Sequence, residues 1–189
     1  MALKATVCKA ALQIADIDRG IYFDRSLTLA RHPSETDERM MMRLLAYALN
    51  VPADDAQGDL DSGKGMWDPD EPEWWQRDLT GNVVQWIEVG QPEEKRLAKA
   101  CGRAGRVVVY AFGTAAAAWW QGLSPRLHSN PRLEAWRIEA EQSRALAALA
   151  ARGMRLQLNR QDGVVWVGDS ERGVEIAPQR LEAVDGAKR

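Results

Sequence analysis

The order of strand-like and helix-like segments predicts a mixed α/β fold, formed as a single domain over residues 1–189. Three observations lead there: β-rich runs paired around tight turns at both ends of the chain, capped amphipathic helices, and a strand, helix, strand passage in the middle. With 46% hydrophobic residues the chain can bury one substantial core, and no Pro/Gly/Ser-rich stretch is long enough to link two domains.

Lys4 to Ala15 and Ile21 to Ala30 are rich in Val, Ile, Thr and Leu around Asp18-Arg19-Gly20, which predicts an N-terminal β-hairpin. Pro33-Ser34-Glu35-Thr36-Asp37 announces a helix, with Ser34 as cap, Asp37 at the capping-box position, and Met41, Leu44, Leu45 and Ala48 as the buried stripe. Pro52 to Pro72 reads as loop with room for one short strand. Glu73 to Arg77 and Val83 to Val89 flank Thr80-Gly81-Asn82 as a second, central hairpin. Pro92 suits the first position of a helix running to about Gly102, with Glu93 and Glu94 at its positive end. Val107 to Phe112 follows as a buried strand, completing a crossover.

Farther on, Thr114 to Gln121 is an Ala-rich helix stopped by Gly122, Leu133 to Ile138 a strand, and Glu139 to Arg152 a helix closed by Gly153. C-terminal strands come last: Met154 to Leu158 and Val164 to Val167 form a hairpin through Asp162-Gly163, then Val174 to Ile176. Asp185 to Arg189 reads as a frayed polar tail.

A net charge of −2 and a pI near 5.8 deny the chain a global positive field, so phosphate binding would need a local basic strip. Cys8 and Cys101 lie far apart, which argues against a disulfide framework and for a reducing compartment. Met1-Ala2-Leu3-Lys4 opens no apolar signal core, and the longest apolar runs are too short to span a bilayer, so the expected location is the cytoplasm, away from membranes. His32 and His128 have no Cys or His companion, which leaves zinc and histidine triads without support. The run Gly58 to Lys64 is rejected as a phosphate loop, because Gly65 replaces the hydroxyl and Asp59 and Asp61 would repel phosphate.

Glu88, inside Trp86-Ile87-Glu88-Val89, is the residue that demands an explanation: a carboxylate in an apolar strand must be paired, protonated or metal-bound. Counting back across the turn centred on Gly81 places it opposite roughly Trp74, with Asp70, Glu71 and Glu73 toward the same end of the hairpin. Which of these three faces the pocket is open. Glu38, one helical turn before Met41 and Met42, is a further contributor. Acids from separate elements make a hard-cation site for Mg²⁺ or Mn²⁺, with Asp70, Glu71, Glu88 and Glu38 as ligands. Lys95, Lys99 and Arg103 share a helix face that could track a phosphate backbone. The competing reading makes Glu88 an ion-pair partner of Arg39 or Arg43, and the Lys95-Lys99-Arg103 stripe an ordinary solvated face.

Pro69-Asp70, then Glu88-Val89-Gly90, then a helix and a strand, resembles the PD-(D/E)XK nuclease superfamily over roughly Ser34 to Phe112. More closely, His32-Pro33-Ser34-Glu35-Thr36-Asp37-Glu38-Arg39-Met40, Asp70-Glu71-Pro72 and Trp86-Ile87-Glu88-Val89-Gly90-Gln91-Pro92 resemble the YaeQ family, over nearly the whole chain. The resemblance implies a restriction-endonuclease-like core of about residues 34–112: a mixed sheet flanked by helices, carrying a metal-dependent phosphodiesterase that acts on DNA or RNA. In its pattern a lysine stands two residues after the second acid, where this chain has Gly90. The basic group would then come from Lys95, Arg96 or Lys64, with Gln91 as a neutral substitute. The resemblance also leaves open a module that binds nucleic acid or a transcription-associated protein without cutting, and the residues alone allow a structural protein-interaction domain.

Overall fold

The computed structural model describes residues 4–54, 56–127 and 130–182; His128 and the tail Asp185 to Arg189 lie outside the described residues. The chain forms two compact units, each assembled from separated stretches: Met1–Ala53 with Ala140–Pro178, and Asp54–Glu139 with Gln179–Arg189.

The first unit is built on a five-stranded sheet. β1 (Thr6–Asp16) and β2 (Ile21–Arg31) form the expected hairpin, in unbroken antiparallel register from Thr6↔Arg31 to Asp16↔Ile21. β8 (Gly153–Gln161) runs parallel to β1, β9 (Val164–Gly168) returns antiparallel, and β10 (Gly173–Ile176) closes the order β10-β9-β8-β1-β2. Asp162 and Gly163 both take positive φ (53° and 78°), the geometry that two-residue hairpins favour. The Asp18 carboxylate accepts both of their backbone N–H groups, tying this turn to the β1–β2 turn; the bond from Gly163 contributes most to holding its pKa below the usual value.

α1 (Asp37–Asn50) begins two residues later than expected. Thr36, not Ser34, caps it, because the Thr36 hydroxyl accepts the Arg39 N–H at 3.1 Å. The expected stripe Met41, Leu44, Leu45 and Ala48 is buried, but so is every residue from Met40 to Asn50. Ala48 and Leu49 line a small cavity with Ile14, Leu158 and Val165, so α1 packs on the inner face of this sheet. α4 (Ala140–Ala147) is shorter than the predicted helix. Its end tightens into i→i+3 bonds from Ala148, Leu149 and Ala150, and Gly153 opens β8 rather than ending a helix.

The second unit carries a six-stranded sheet of order β11-β7-β6-β5-β4-β3. β3 (Leu60–Ser62), β4 (Trp74–Arg77) and β5 (Val83–Val89) form an antiparallel meander, with a 3-10 turn, Gly65–Trp67, between the first two. α2 (Glu94–Arg103) then crosses to β6 (Ala104–Phe112), which lies parallel to β5. Pro92 stays outside this helix, whose N-cap is Glu93. α3 (Ala116–Leu127) runs through Gly122 and includes Pro125, past the predicted stop, since Leu123 and Leu127 belong to the same buried cluster as Trp86, Leu97 and Val109. Core burial outweighs the local cost of glycine and proline there. β7 (Leu133–Ile138) extends the parallel part of the sheet, and the unpredicted β11 (Gln179–Arg180) borders it.

Candidate acidic site

Sheet register decides which acid meets Glu88. Trp74 pairs with Ile87 and Trp75 with Trp86, so Glu73, not Trp74, stands opposite Glu88. Arg77 pairs with Val83, so the turn is centred on Thr80 rather than Gly81; an irregularity between Gln76 and Arg77 then shifts the register by one, and a one-residue shift moves every side chain to the other face. Trp75 and Trp86 sit on this face as a T-shaped pair, with ring centroids 6.0 Å apart, and the two glutamates follow them toward the end of the hairpin.

Both glutamates are buried, Glu73 to 1% and Glu88 to 3% exposure. Glu88 Oε1 accepts two hydrogen bonds, from Trp86 Nε1 and from Arg96 Nε, each at 2.8 Å. Its Oε2 takes none among the described residues. Burial raises the Glu88 pKa above the ordinary carboxylate value; Arg96 and Trp86 oppose the shift, and the nearby Glu73 charge adds to it. The backbone of Gly65 lies against Glu73, where a Cβ would come within 2.4 Å of Glu73 Oε2. That close approach, with a φ of +50°, is why glycine stands at 65.

Arg96 is the basic residue that the helix delivers. Beyond Glu88, its Nη1 donates to the Pro69 carbonyl at 2.8 Å and its Nη2 to the Glu71 carbonyl at 2.7 Å, fastening the 69–71 loop to the sheet. Lys95 is exposed and has no hydrogen bond or ion pair among the described residues. Gln91 is exposed and donates to the Phe112 carbonyl. Gly90 has a φ of +102°, a backbone state that a lysine would enter only with strain.

The remaining predicted ligands are engaged elsewhere. Asp70 has a side chain 62% exposed and pairs with Lys99, whose hydrogen bond is the largest cause of its lowered pKa; Arg103 reaches the Asp70 carbonyl at 3.5 Å. Glu71 accepts the Lys64 backbone N–H at 3.0 Å, and Lys64 Nζ lies 3.1 Å from it, so Lys64 is committed as well. Glu38 belongs to the first unit, where it accepts the Ser143 hydroxyl at 2.5 Å. The alternative pairing of Glu88 with Arg39 or Arg43 is not what forms, for both arginines bond to Glu35. Sequence counting left Glu73 open beside Asp70 and Glu71 and did not include it among the ligands; matching Trp75 to Trp86 as a cross-strand aromatic pair would have selected it.

Among the described residues no three His, Cys, Asp or Glu side chains converge as a metal-holding group. Of the predicted four acids only Glu88 remains at this place, and Glu73 joins it. Mg²⁺ is ordinarily held by one or two carboxylates together with waters and substrate phosphate. Two desolvated glutamates, one with an oxygen free of hydrogen bonds, fit that requirement.

The model of the family described as YaeQ protein matches residues 1–178. Over 177 residues, covering 93% of this chain and 95% of theirs, the YaeQ proteins of Escherichia coli strain K12 and Salmonella typhi are 43% and 42% identical to it. The crystal structure of YaeQ from Xanthomonas axonopodis pv. citri superposes with a TM-score of 0.88 at 43% identity, covering 96% of this chain and all of that one. The structure of YaeQ from Pseudomonas syringae gives 0.85 at 34% identity, covering 96% of this chain and 98% of that one. The chain belongs to the YaeQ family.

Proposed function

We propose that this protein is a nuclease-like phosphodiesterase that acts on nucleic acid with the help of a divalent cation held by Glu73 and Glu88. The observation that carries the reading is the buried glutamate pair, in which Glu88 keeps one oxygen free of hydrogen bonds and the Glu73 charge adds to the rise of its pKa despite Arg96, a repulsion that a cation would relieve. The element order of the second unit supports it: the meander β3-β4-β5, α2 and the parallel β6 follow one another as the nuclease resemblance implies, although α1 belongs to the first unit.

A bound Mg²⁺ or Mn²⁺ would supply Lewis-acid polarisation of a phosphate. Arg96 orients Glu88 and adds positive charge beside it, but it stays protonated and cannot take a proton from water. The exposed Lys95, with Lys99 and Arg103, lines α2 with cations suited to a phosphate backbone. A cytoplasmic location accords with Cys8 and Cys101, both buried and unpaired.

Calorimetric titration with Mn²⁺ and Mg²⁺, beside a nuclease assay on single- and double-stranded DNA and RNA, tests the reading. Binding should be lost in Glu88→Gln and in Glu73→Gln, with cleavage lost in parallel; a wild type that takes up neither ion would sink it. Binding without cleavage would select the second reading, a non-cutting module for nucleic acid or a transcription-associated protein. Gly90 and the triple engagement of Arg96 favour that second reading, since neither leaves a group to activate water.

A further inference from the structure

The outer face of the five-stranded sheet in the first unit is open and polar. Reading across strands, one row is Tyr22, Ala15, Asn159, Trp166, and the next is Asp24, Gln13, Gln157, Gly168. The rows beyond are Ser26, Ala11, Arg155 and then Thr28, Lys9, Gly153. The small side chains at Ala11, Ala15 and Gly153 leave a trough along β1 and β8, part of which encloses about 860 Å³ beside Lys9, Arg155 and the turn Asp169 to Arg172. It continues past Gln13 and Gln157 to Tyr22 and Asn159.

Three features suit one kind of ligand. Lys9 and Arg155 have no ion pair or hydrogen bond among the described residues, so two cations stand unneutralised on the trough. Asp169 does not oppose them strongly, since its carboxylate is turned into backbone bonds from Glu171 and Arg172 and lies 3.5 Å from the Arg172 guanidinium; Asp24 and Glu171 remain exposed acids. Gln13, Gln157 and Asn159 offer both donors and acceptors. Trp166 lies flat over two glycines: a Cβ at Gly168 or Gly173 would come within 2.6 or 2.1 Å of its ring, and the indole is still 45% exposed. Neither glycine has a positive φ; the ring excludes a side chain at Gly173, and the ring together with the Arg172 carbonyl, 2.7 Å from the Cβ position, excludes one at Gly168. Tyr22, 64% exposed, stands three strand spacings away, about 14 Å.

We infer that this sheet face binds single-stranded nucleic acid, with Trp166 and Tyr22 as stacking platforms, the amide row against base edges, and Lys9 and Arg155 on phosphates. A trough of about 20 Å between Lys9 and Ala15 holds a few nucleotides. The inference is independent of the glutamate pair, and the test is run in EDTA, where that site is silent.

Fluorescence anisotropy of a labelled eight-nucleotide single strand, RNA and DNA in turn, reads the binding. The wild type should bind micromolar, and Trp166→Ala should weaken binding about tenfold. Lys9→Ala with Arg155→Ala should weaken it and flatten the slope of log K against log salt by about 1.4. Tyr22→Ala, on an exposed edge-strand position, gives a second aromatic readout should Trp166→Ala disturb the sheet. Failure of the wild type to bind either single strand at low salt overturns the inference. So does equal binding to a duplex, equal binding to a neutral oligosaccharide, or affinity unchanged in all three variants.

Discussion

Glu35 and Glu88 are both carboxylates sealed from water, yet their surroundings differ in one respect. Glu35 has both oxygens engaged: Arg43 Nη1 reaches Oε2 at 2.9 Å and Oε1 at 3.2 Å, Arg39 Nη1 reaches Oε1 at 2.9 Å, and the His32 N–H reaches Oε2 at 3.3 Å. Glu88 has both of its bonds on one oxygen and a second buried acid beside it. A carboxylate bonded at both oxygens anchors the arginines around it, whereas one bonded at a single oxygen beside a second acid carries an electrostatic cost that a ligand can remove. The contrast separates the structural acid from the candidate site.

The largest expected effect comes from breaking the ion pairs of Glu35. Glu35→Ala leaves Arg43 buried without its carboxylate and should cost about 3–5 kcal/mol in urea denaturation. A loss under 1 kcal/mol would mean that the two acids do not differ as described.

Gly90→Lys restores the side chain that the nuclease pattern carries at that position, but at a φ of +102° it should cost about 1–2 kcal/mol and fail to raise any cleavage rate. An active variant at undiminished stability would show that the missing lysine, not the backbone, limits the site.

Glu88→Gln should be milder, shifting stability at neutral pH by about 1 kcal/mol or less, because losing the charge-assisted bond to Arg96 is offset by removing a desolvated charge. Its pH signature is the sharper readout. Burial raises the Glu88 pKa above 4.5, so in the interval from 4.5 up to its folded pKa the folded chain binds more protons than the unfolded one. Wild-type stability relative to Glu88→Gln therefore falls as pH rises through that window and levels off above it. A flat difference between the two denaturation series would contradict the assigned environment.

The smallest effect belongs to Asp70→Asn. An exposed side chain paired with Lys99 is screened by water, so the melting temperature should hold and cation uptake should stay at the wild-type level. Abolished uptake would return Asp70 to the metal site in place of Glu73.

Much of this was legible in the chain itself. β-rich runs around tight turns placed β1, β2 and β5, a buried apolar run placed β6, the Asp162-Gly163 dipeptide fixed the β8–β9 turn, and the residues around His32 and Trp86 carried the family resemblance. Glu88 stood out because a charge in an apolar strand is expensive in any fold, and that cost can be read from its neighbours in sequence.

What only tertiary structure decided follows from the short range of sequence patterns. Alternation assigns a residue to one face or the other, but the turn is centred on Thr80 and not Gly81, and the irregularity between Gln76 and Arg77 then shifts the pairing by one, so that Glu73 and not Trp74 stands opposite Glu88. Helix signals set a cap for α1 and a stop for α3 only until packing weighed in: Thr36 displaced Ser34, and burial of Leu123 and Leu127 carried α3 through Gly122. Pairing of charges was the least legible, since Arg96 met Glu88 across a crossover while Arg39 and Arg43 turned to Glu35. The sequence determined which groups must find partners; the choice of partner depended on distances set by the whole sheet, because electrostatic cost is local to a side chain while its relief depends on chain segments brought together by folding.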